Sequence, residues 1–570
     1  GFAHPYRAHL LAGVVTDPMR EVSREPALAL REAAANLDTA APALVAFEPT
    51  DTPTAAATQL AATLDRAADR LDAAFVDFAP GFRVRLRHDL IPLLDHTAKV
   101  RFVHSADDPE PMLRAMRASM FMDRAALLAA AGEAAGLIDA QWPESFAADA
   151  EPIEVPRELR DHVTGDVLAV ARTEAGVVVV GASGENEYDM AALAGVIDVG
   201  GDDVYRYDDS ASPAAPVRVI VDLAGDDRHE SRGGWFGPGA AMLGISLLID
   251  HAGDDRYEAD EGGTVAAGIM GVGMIVDRAG ADEYTGHAWS LGCGLYGAGM
   301  IIDLGRQHDR YEAAVLSQGI GGPGGFGLIL DDGGRELYRM NGPVRSAYGT
   351  PAVYVAFGQV MVFGLRGYDS GGIGVICDLG GHDRYEAGEF ATGGSYYWGL
   401  GVLRDMAGND VYHGNRYAQG FGCHQGIGLL VDDRGDDVYW SMTAAAQGAA
   451  WDIAVGVLID RAGNDSYQAD GLSQGSAAQQ AVGWLVDLGG TDRYVAGRSG
   501  TQGDAGSNQY HWDRTGVASW AALLDAGGED DFFSTDRPNN SVLMLESIND
   551  NRPGFSRRYG LFIDLDGPLE

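Results

Sequence analysis

Short apolar runs that end in aspartate recur along most of the chain at a nearly constant interval. A well-formed copy runs from Val457 to Tyr467 and contains the pattern apolar, apolar, Asp, x, x, Gly, x, Asp, x, Tyr. The first aspartates of the copies form what we call the first-Asp column: Asp198, Asp222, Asp250, Asp277, Asp303, Asp331, Asp378, Asp405, Asp432, Asp460, Asp487 and Asp525. Most of them lie about 27 residues apart. A fixed period of this length is typical of repeat proteins whose units stack on one another.

The residues within each unit favour β-strands. A unit of about 27 residues is shorter than a helical repeat pair or a propeller blade, and it holds β-branched runs separated by Gly and Asp. The sequence therefore predicts a mainly β protein, a long right-handed parallel β-helix of about 13 to 14 coils. The period lengthens at two places, which predicts insertions near residues 340–372 and 498–515.

The first part of the chain has a different pattern. Residues 1–165 lack the motif and are rich in Ala, and Leu60, Leu64, Leu71 and Phe75 follow helical spacing. This predicts an α-helical N-terminal cap domain over residues 1–165, followed by the β-helix over residues 166–570. A stacked array exposes an apolar end and strand edges, so we expect the cap to cover that open end.

Three further columns are visible when the copies are aligned. The motif tyrosines alternate with charged residues, which predicts an inward stack of rings; an exposed aromatic ladder that binds sugars is the alternative. A glutamine column, Gln318, Gln419, Gln447 and Gln474, predicts amides that bond to each other between coils. The strand before each first Asp is apolar on both faces and carries a glycine column: Gly273, Gly299, Gly327, Gly374, Gly428, Gly456 and Gly483.

The apolar strands imply that the sheet they form is covered on its outer face. The glycines would let a protein partner, another copy of the chain or the chain's own insertions lie against this face. Self-association along an apolar, Gly-lined sheet face is therefore one hypothesis. In the other, the glycines point inward where the coil is narrow.

Composition limits the partners. The 570 residues include 41 Lys plus Arg and 83 Asp plus Glu, a formal net charge of −42. This acidity argues against nucleic acid or an anionic membrane surface and favours cations or basic partners. No apolar run is long enough to span a membrane. Cys293, Cys377 and Cys423 form no disulfide framework and are expected to be buried thiols. The chain opens on Gly1, which favours a removed signal peptide and an extracytoplasmic location, periplasmic, cell-surface or secreted.

Stacking also places the second aspartates of the motif above one another, in what we call the second-Asp column: Asp203, Asp227, Asp255, Asp282, Asp309, Asp383, Asp410, Asp437, Asp465 and Asp492. Two unit charges about 5 Å apart repel by about 3 kcal/mol at an effective dielectric constant of 20. In a structural interpretation, each first Asp accepts backbone N–H bonds and closes a turn. In a functional interpretation, Ca²⁺ lies between coils, because carboxylate oxygens are the ligands it prefers.

The segments Gly463-Asn-Asp-Ser-Tyr467 and Gly253-Asp-Asp-Arg-Tyr257 resemble half of the RTX calcium repeat, G-G-x-G-x-D-x-U-x. The resemblance covers about five residues per coil, and both the period and the tyrosine depart from the RTX pattern. It implies secretion and calcium-dependent folding. The candidate ligands are Asp222, Asp227, Asp250, Asp255, Asp277, Asp282, Asp378, Asp383, Asp405, Asp410, Asp432, Asp437, Asp460, Asp465, Asp487 and Asp492.

Two catalytic motifs are absent from the sequence: it has no H-E-x-x-H and no Walker-type phosphate loop. Successive coils are nearly alike, whereas a catalytic site requires one coil to differ. The leading hypothesis is therefore a non-catalytic extracytoplasmic scaffold or binding protein in a protein or glycan assembly. The alternative is a polysaccharide lyase, hydrolase or epimerase, with His382 beside Asp383, His413, His424 and the two insertions as its candidate residues.

Overall fold

The computed structural model describes residues 4–79, 81–98, 110–207, 216–235, 237–260, 262–365, 368–498, 500–506, 518–533, 540–548 and 555–565. It is mainly β, with 36% of the residues in strands and 18% in helices. Parallel strands stack into a β-solenoid of about 11 turns with a period of about 27 residues. The predicted solenoid is confirmed with fewer turns than the 13 to 14 expected. At each end of the stack the last two strands of the sheet pair antiparallel.

One side of the solenoid is a 16-stranded sheet, which we call the apolar sheet. In spatial order its strands are Val167–Thr173, Gly176–Gly181, Gly195–Asp198, Val217–Asp222, Ile245–Asp250, Val272–Asp277, Ala298–Asp303, Phe326–Asp331, Ile373–Asp378, Leu400–Asp405, Ile427–Asp432, Val455–Asp460, Val482–Asp487, Ser519–Ala526, Phe555–Leu565 and Ser541–Ile548. Most of these strands end on a first Asp. The motif therefore places the first aspartates side by side at the carboxyl ends of these strands.

A second side is a 14-stranded sheet, which we call the charged sheet. Its strands are Val163–Thr164, Glu187–Asp189, Val204–Arg206, Arg228–Ser231, Arg256–Ala259, Glu283–Thr285, Arg310–Ala313, Leu337–Met340, Arg384–Glu386, Val411–Gly414, Val438–Ser441, Ser466–Ala469, Arg493–Ala496 and Asp531–Phe533. Its outward residues form ion pairs such as Arg310 with Glu312 at 2.6 Å and Arg339 with Glu386 at 2.9 Å. The motif tyrosines lie on its inward side.

Short strands complete the third side of the coils. They are Ala241–Met242, Gly268–Ile269, Gly294–Leu295, Val355–Gly358, Val362–Phe363, Glu389–Ala391, Ser395–Tyr396, Gly422–Cys423, Ala450–Trp451 and Ala477–Ala478. Two of them, Val355–Gly358 and Val362–Phe363, belong to the predicted insertion at 340–372 and pair with the next coil. Of the predicted insertion at 498–515, residues 499 and 507–515 lie outside the described residues.

Neighbouring coils pair in register, so identical residues stack. Asp432 pairs with Asp460, and Tyr439 pairs with Tyr467. The tyrosine rings from Tyr257 to Tyr494 are fully buried, and each lies 4.7 to 4.9 Å from the next, centroid to centroid. The predicted inward stack is confirmed. The alternative prediction, an exposed aromatic ladder that binds sugars, is wrong for these residues.

The glycine column also faces inward. In strand Val272–Asp277, Ile275 packs with the buried tyrosines, and Gly273 shares its side of the strand. A Cβ on Gly273 would lie 2.3 Å from the carbonyl oxygen of Ala267 in the same coil. Side chains are therefore excluded here because the coil is narrow, and no partner is needed to explain these glycines.

The glutamine column is present, but its predicted bonding is wrong. The Nε2 of Gln419 donates to the carbonyl oxygen of Tyr412 at 2.8 Å and to that of Trp440, one coil further on, at 2.9 Å. The amide thus joins two coils through their backbones. The carbonyl oxygens at this corner thus take the amide hydrogens that a side-chain ladder would have used.

Helices occupy the N-terminal segment. Within its described residues the α-helices are Leu10–Thr16, Met19–Val22, Ala29–Asn36, Pro53–Ala74, Phe82–Ala98, Glu110–Phe121, Arg124–Glu133 and Ala135–Ile138, with short 3-10 turns at Pro5–Arg7, Pro26–Leu28 and Arg157–Leu159. No helix in the described residues is long and apolar enough to cross a membrane. The three cysteines are buried, as expected, and among the described residues they form no disulfide.

These helices lie along the outer face of the apolar sheet. Helix Pro53–Ala74 packs on the first strands of the sheet, whereas Leu10–Thr16 reaches strand Leu400–Asp405, far along the rod. Outward residues such as Val272, Met274 and Val276 share one apolar core with the helices. Burying this face is favourable at about 25 cal/mol per Å² of apolar surface, so the chain itself covers the face predicted to be covered.

Polar contacts fix the helices on the sheet. Arg404 donates to the hydroxyl of Thr16 at 3.0 Å and to the carboxylate of Asp17 at 2.7 Å. The indole N–H of Trp289 donates to the hydroxyl of Thr97 at 3.1 Å. These bonds set the position of separate helices against separate coils.

Because helices and solenoid share one core, they should unfold together. Leu64→Ala removes a fully buried side chain from this core and should lower the free energy of unfolding by about 2 to 5 kcal/mol. Urea unfolding followed by the helical and the strand signals in circular dichroism should show one shifted transition. The control Val76→Ala, at a side chain that is 75% exposed, should leave the midpoint unchanged. Loss of the helical signal alone would show that the helices fold independently.

Candidate functional site: the aspartate columns and the insertion cavity

Most first aspartates have both carboxylate oxygens bonded, and Asp250 and Asp525 are exceptions. In Asp432, Oδ1 accepts the backbone N–H of Arg434 at 2.9 Å, and Oδ2 accepts the hydroxyl of Tyr412 at 2.7 Å. The first bond closes the predicted turn, and the second joins the charged sheet to the apolar sheet of the next coil. The same pair of bonds occurs at Asp222, Asp277, Asp303, Asp331, Asp378, Asp405, Asp460 and Asp487.

Each second Asp has only one oxygen bonded. The Oδ1 of Asp437 accepts the backbone N–H of Asp410 in the preceding coil at 2.6 Å. Its Oδ2 is buried and accepts no N–H or O–H bond from the other described side chains or backbone groups, although the carboxyl group of Asp432 lies within hydrogen-bonding reach of Asp437. The same unpartnered Oδ2 occurs at Asp203, Asp227, Asp255, Asp282, Asp309, Asp383, Asp410, Asp465 and Asp492. A buried acceptor without a donor costs about 1 to 3 kcal/mol, and more when it is charged, so a compensating partner is expected at every coil.

The two columns converge. Carboxylate oxygens of Asp222, Asp227 and Asp250 all lie within 4.8 Å of one another, as do those of Asp250, Asp255 and Asp277. Each group joins first aspartates of two successive coils to a second Asp between them. The remaining predicted ligands occupy the same positions in the two columns: Asp282, Asp378, Asp383, Asp405, Asp410, Asp432, Asp437, Asp460, Asp465, Asp487 and Asp492.

Some acidic residues that were not predicted as ligands also belong to these groups. Asp198 and Asp203 form a group with Asp222, and Asp309 and Asp331 form one with Glu336. Glu336 occupies a second-Asp position, and neither of its carboxylate oxygens has a hydrogen-bond partner. The motif position itself was the signal that could have identified it, because Asp331 and Glu336 have the spacing of a first and a second Asp.

Burial makes ionised carboxylates unfavourable here. Desolvation raises the pKa of Asp227 to about 8, and desolvation with the charge of Asp460 raises the pKa of Asp465 to about 10. Desolvation also raises the pKa of Asp432 well above its ordinary value, with repulsion from Asp437 and Asp460 adding to the effect. The columns must therefore hold protons or cations at neutral pH.

The insertion forms part of a second candidate site, a cavity of about 330 Å³. Tyr348 from the insertion lies beside Tyr417, with 2.9 Å between the hydroxyl oxygens, and the guanidinium of Arg416 lies 4.4 Å from the centre of the Tyr348 ring. The Nδ1 of His424 contacts the carboxylate of Asp452. Phe390, Tyr396, Cys423, Ala444, Ala445, Trp451 and Leu472 complete the lining.

The other candidate histidines lie elsewhere. His413 lines a neighbouring cavity of about 350 Å³, to which the insertion contributes Tyr354. His382 lies in a turn, where its Nδ1 accepts the backbone N–H of Asn409 at 2.8 Å, and it lines neither cavity. Of the predicted catalytic histidines, only His424 combines a carboxylate partner with an aromatic cavity.

Comparison with known proteins gives no relative. No protein family, no curated protein and no solved structure matches this chain. Function must therefore be argued from the two sites alone.

The raised pKa values predict how stability depends on pH when divalent ions are removed. Asp198 and Asp203 have pKa values of about 7 and about 8 in the fold, against about 3.9 for an unfolded Asp. Between these limits the folded chain binds more protons than the unfolded chain, so stability falls as pH rises. In chelator, the melting temperature should therefore decrease steadily from pH 5 to about pH 9. A constant or rising melting temperature over this range would contradict the analysis.

Proposed function

We propose that the protein is a non-catalytic, extracytoplasmic scaffold whose solenoid is stiffened by calcium ions between the aspartate columns. The observation that carries the proposal is the buried, unpartnered Oδ2 of every second Asp. The donor set is oxygen only, which suits a hard cation that accepts six to eight oxygen ligands. Each turn contributes two buried carboxylates, and one divalent ion per turn would neutralise both.

The scaffold role is supported by what the rod leaves exposed. Helices cover the apolar sheet, whereas the outer face of the charged sheet carries exposed arginines such as Arg256, Arg384 and Arg493 among glutamates. This regular, polar face suits a protein or glycan partner that repeats along the rod. The glycine column faces the interior of the coil, so the proposed contact surface is the outer face of the charged sheet.

The calcium proposal predicts cooperative stabilisation. Millimolar Ca²⁺ should raise the melting temperature well above its value in EDTA, because each ion bound to the folded state alone adds about 2.7 kcal/mol at 100 times its dissociation constant. Metal analysis of the protein after gel filtration should find several calcium ions per chain.

A matched pair of variants tests the ligands. Asp437→Asn removes charge from a buried second Asp and should lower the calcium content and the calcium-dependent rise in melting temperature. The neighbouring Asp436 is exposed, so Asp436→Asn should change neither. An unchanged melting temperature in EDTA and no bound metal would leave the aspartates as protonated turn formers.

A second candidate function rests on the insertion cavity. The contact between His424 and Asp452 has the arrangement of a base oriented by a carboxylate, and Arg416 lies among aromatic rings that suit a sugar. These features favour a lyase, hydrolase or epimerase that acts on an acidic polysaccharide.

This second candidate predicts a mutational effect on activity. If an assay with acidic polysaccharides detects cleavage or epimerisation, His424→Ala should reduce the rate at least about a hundredfold, because a general base contributes about 10² to 10⁴. His382→Ala, outside the cavity, should have no effect. Equal loss in both variants, or none in His424→Ala, would remove the cavity as an active site.

A further inference from the structure

The tyrosine stack is interrupted at one position by histidine. His229 pairs in register with Tyr205 on one side and with Tyr257 on the other. Its ring lies parallel to that of Tyr205 at 4.3 Å and to that of Tyr257 at 5.0 Å, and it is fully buried. The imidazole therefore occupies the place of a phenol and points toward the first-Asp column.

This replacement removes a hydrogen bond. In the adjacent coils the hydroxyls of Tyr205 and Tyr257 bond to Asp222 at 2.5 Å and to Asp277 at 2.6 Å. The corresponding partner of His229 is Asp250. Imidazole is shorter than phenol with its hydroxyl, and here neither Nε2 of His229 nor Oδ2 of Asp250 has a hydrogen-bond partner. The stack therefore leaves a buried ring nitrogen at the register position where the adjacent coils have a hydroxyl, and no N–H or O–H donor of the described residues bonds the Oδ2 of Asp250.

Other oxygens lie beside this gap. Carboxylate oxygens of Asp222, Asp227 and Asp250 lie within 4.8 Å of one another, and the Oδ2 of Asp227 is also unpartnered. The Nδ1 of His229 lies 3.1 Å from the hydroxyl of Tyr207, which holds the ring in place. Metal-ligating histidines usually have such a second partner on the other ring nitrogen.

We propose that His229, Asp227 and Asp250 bind a divalent first-row transition-metal ion, such as Zn²⁺ or Co²⁺. An imidazole nitrogen with two carboxylates suits these metals, with ligand distances of about 2.0 to 2.2 Å, whereas Ca²⁺ prefers oxygen alone. The site is closed to solvent, so the ion is structural. The ion links the two sheets at this coil, where the tyrosine–aspartate hydrogen bond is missing. This site does not require calcium in the other coils.

The test is Co²⁺ titration of the full-length, metal-stripped protein in excess Ca²⁺, followed by visible absorption. The wild-type protein should bind one Co²⁺ with the absorption of a nitrogen and oxygen site, and Zn²⁺ should displace it. The variant His229→Tyr restores the tyrosine found in the adjacent coils, so it should fold, and it should bind one Co²⁺ fewer. Asp250→Asn is a second variant and should weaken the same site.

Two outcomes would overturn the proposal: no Co²⁺ absorption in the wild-type protein, or equal Co²⁺ binding in wild type and His229→Tyr. Surface histidines that bind Co²⁺ are present in both proteins and cancel in this comparison. Calcium content is measured separately, so failure of calcium binding and failure of the histidine site are distinguishable.

Discussion

The burial of two carboxylates per turn is the constraint on which the rest of the structure depends. Asp432 and Asp437 are both buried, and their counterparts lie one coil above and below. At about 5 Å, like charges repel by about 3 kcal/mol at an effective dielectric constant of 20, and desolvation adds several kcal/mol per ion. A rod of such turns is stable only if every coil neutralises its pair, so compensation must recur with the period of the fold.

The remaining features follow from how the pair is held. The tyrosine hydroxyls occupy the second oxygen of most first aspartates, which joins the two large sheets across the interior and links successive coils. The ring stack then fills the space between the sheets, and the glycine column accommodates the narrow part of the coil. The helices cover the outer face of the apolar sheet, whose outward residues are apolar. The tyrosine stack, the glycine column and the helices are therefore each explained by the surface against which they pack.

Much of this was predictable from the repeat. A constant period places like residues in columns, so the buried tyrosines and the convergence of the aspartates could be derived from spacing and alternation. The course of the helices could not, because contacts such as Arg404 with Asp17 join residues distant in sequence. The missing bond at His229 could not be predicted either. A single histidine in a strand does not indicate a lost hydrogen bond until its neighbours in the stack are known. The cavity at His424 depends on where the insertion folds, which no periodicity indicates.

The most direct test of cation compensation is an anomalous diffraction measurement on crystals of the calcium-loaded protein. The account predicts peaks that repeat along the rod between the first-Asp and second-Asp columns, with oxygen ligands at about 2.3 to 2.6 Å. It is contradicted if no peaks occur and the carboxylate oxygens instead approach each other to about 2.5 to 2.7 Å, the separation of a shared proton. In that case protons neutralise the columns.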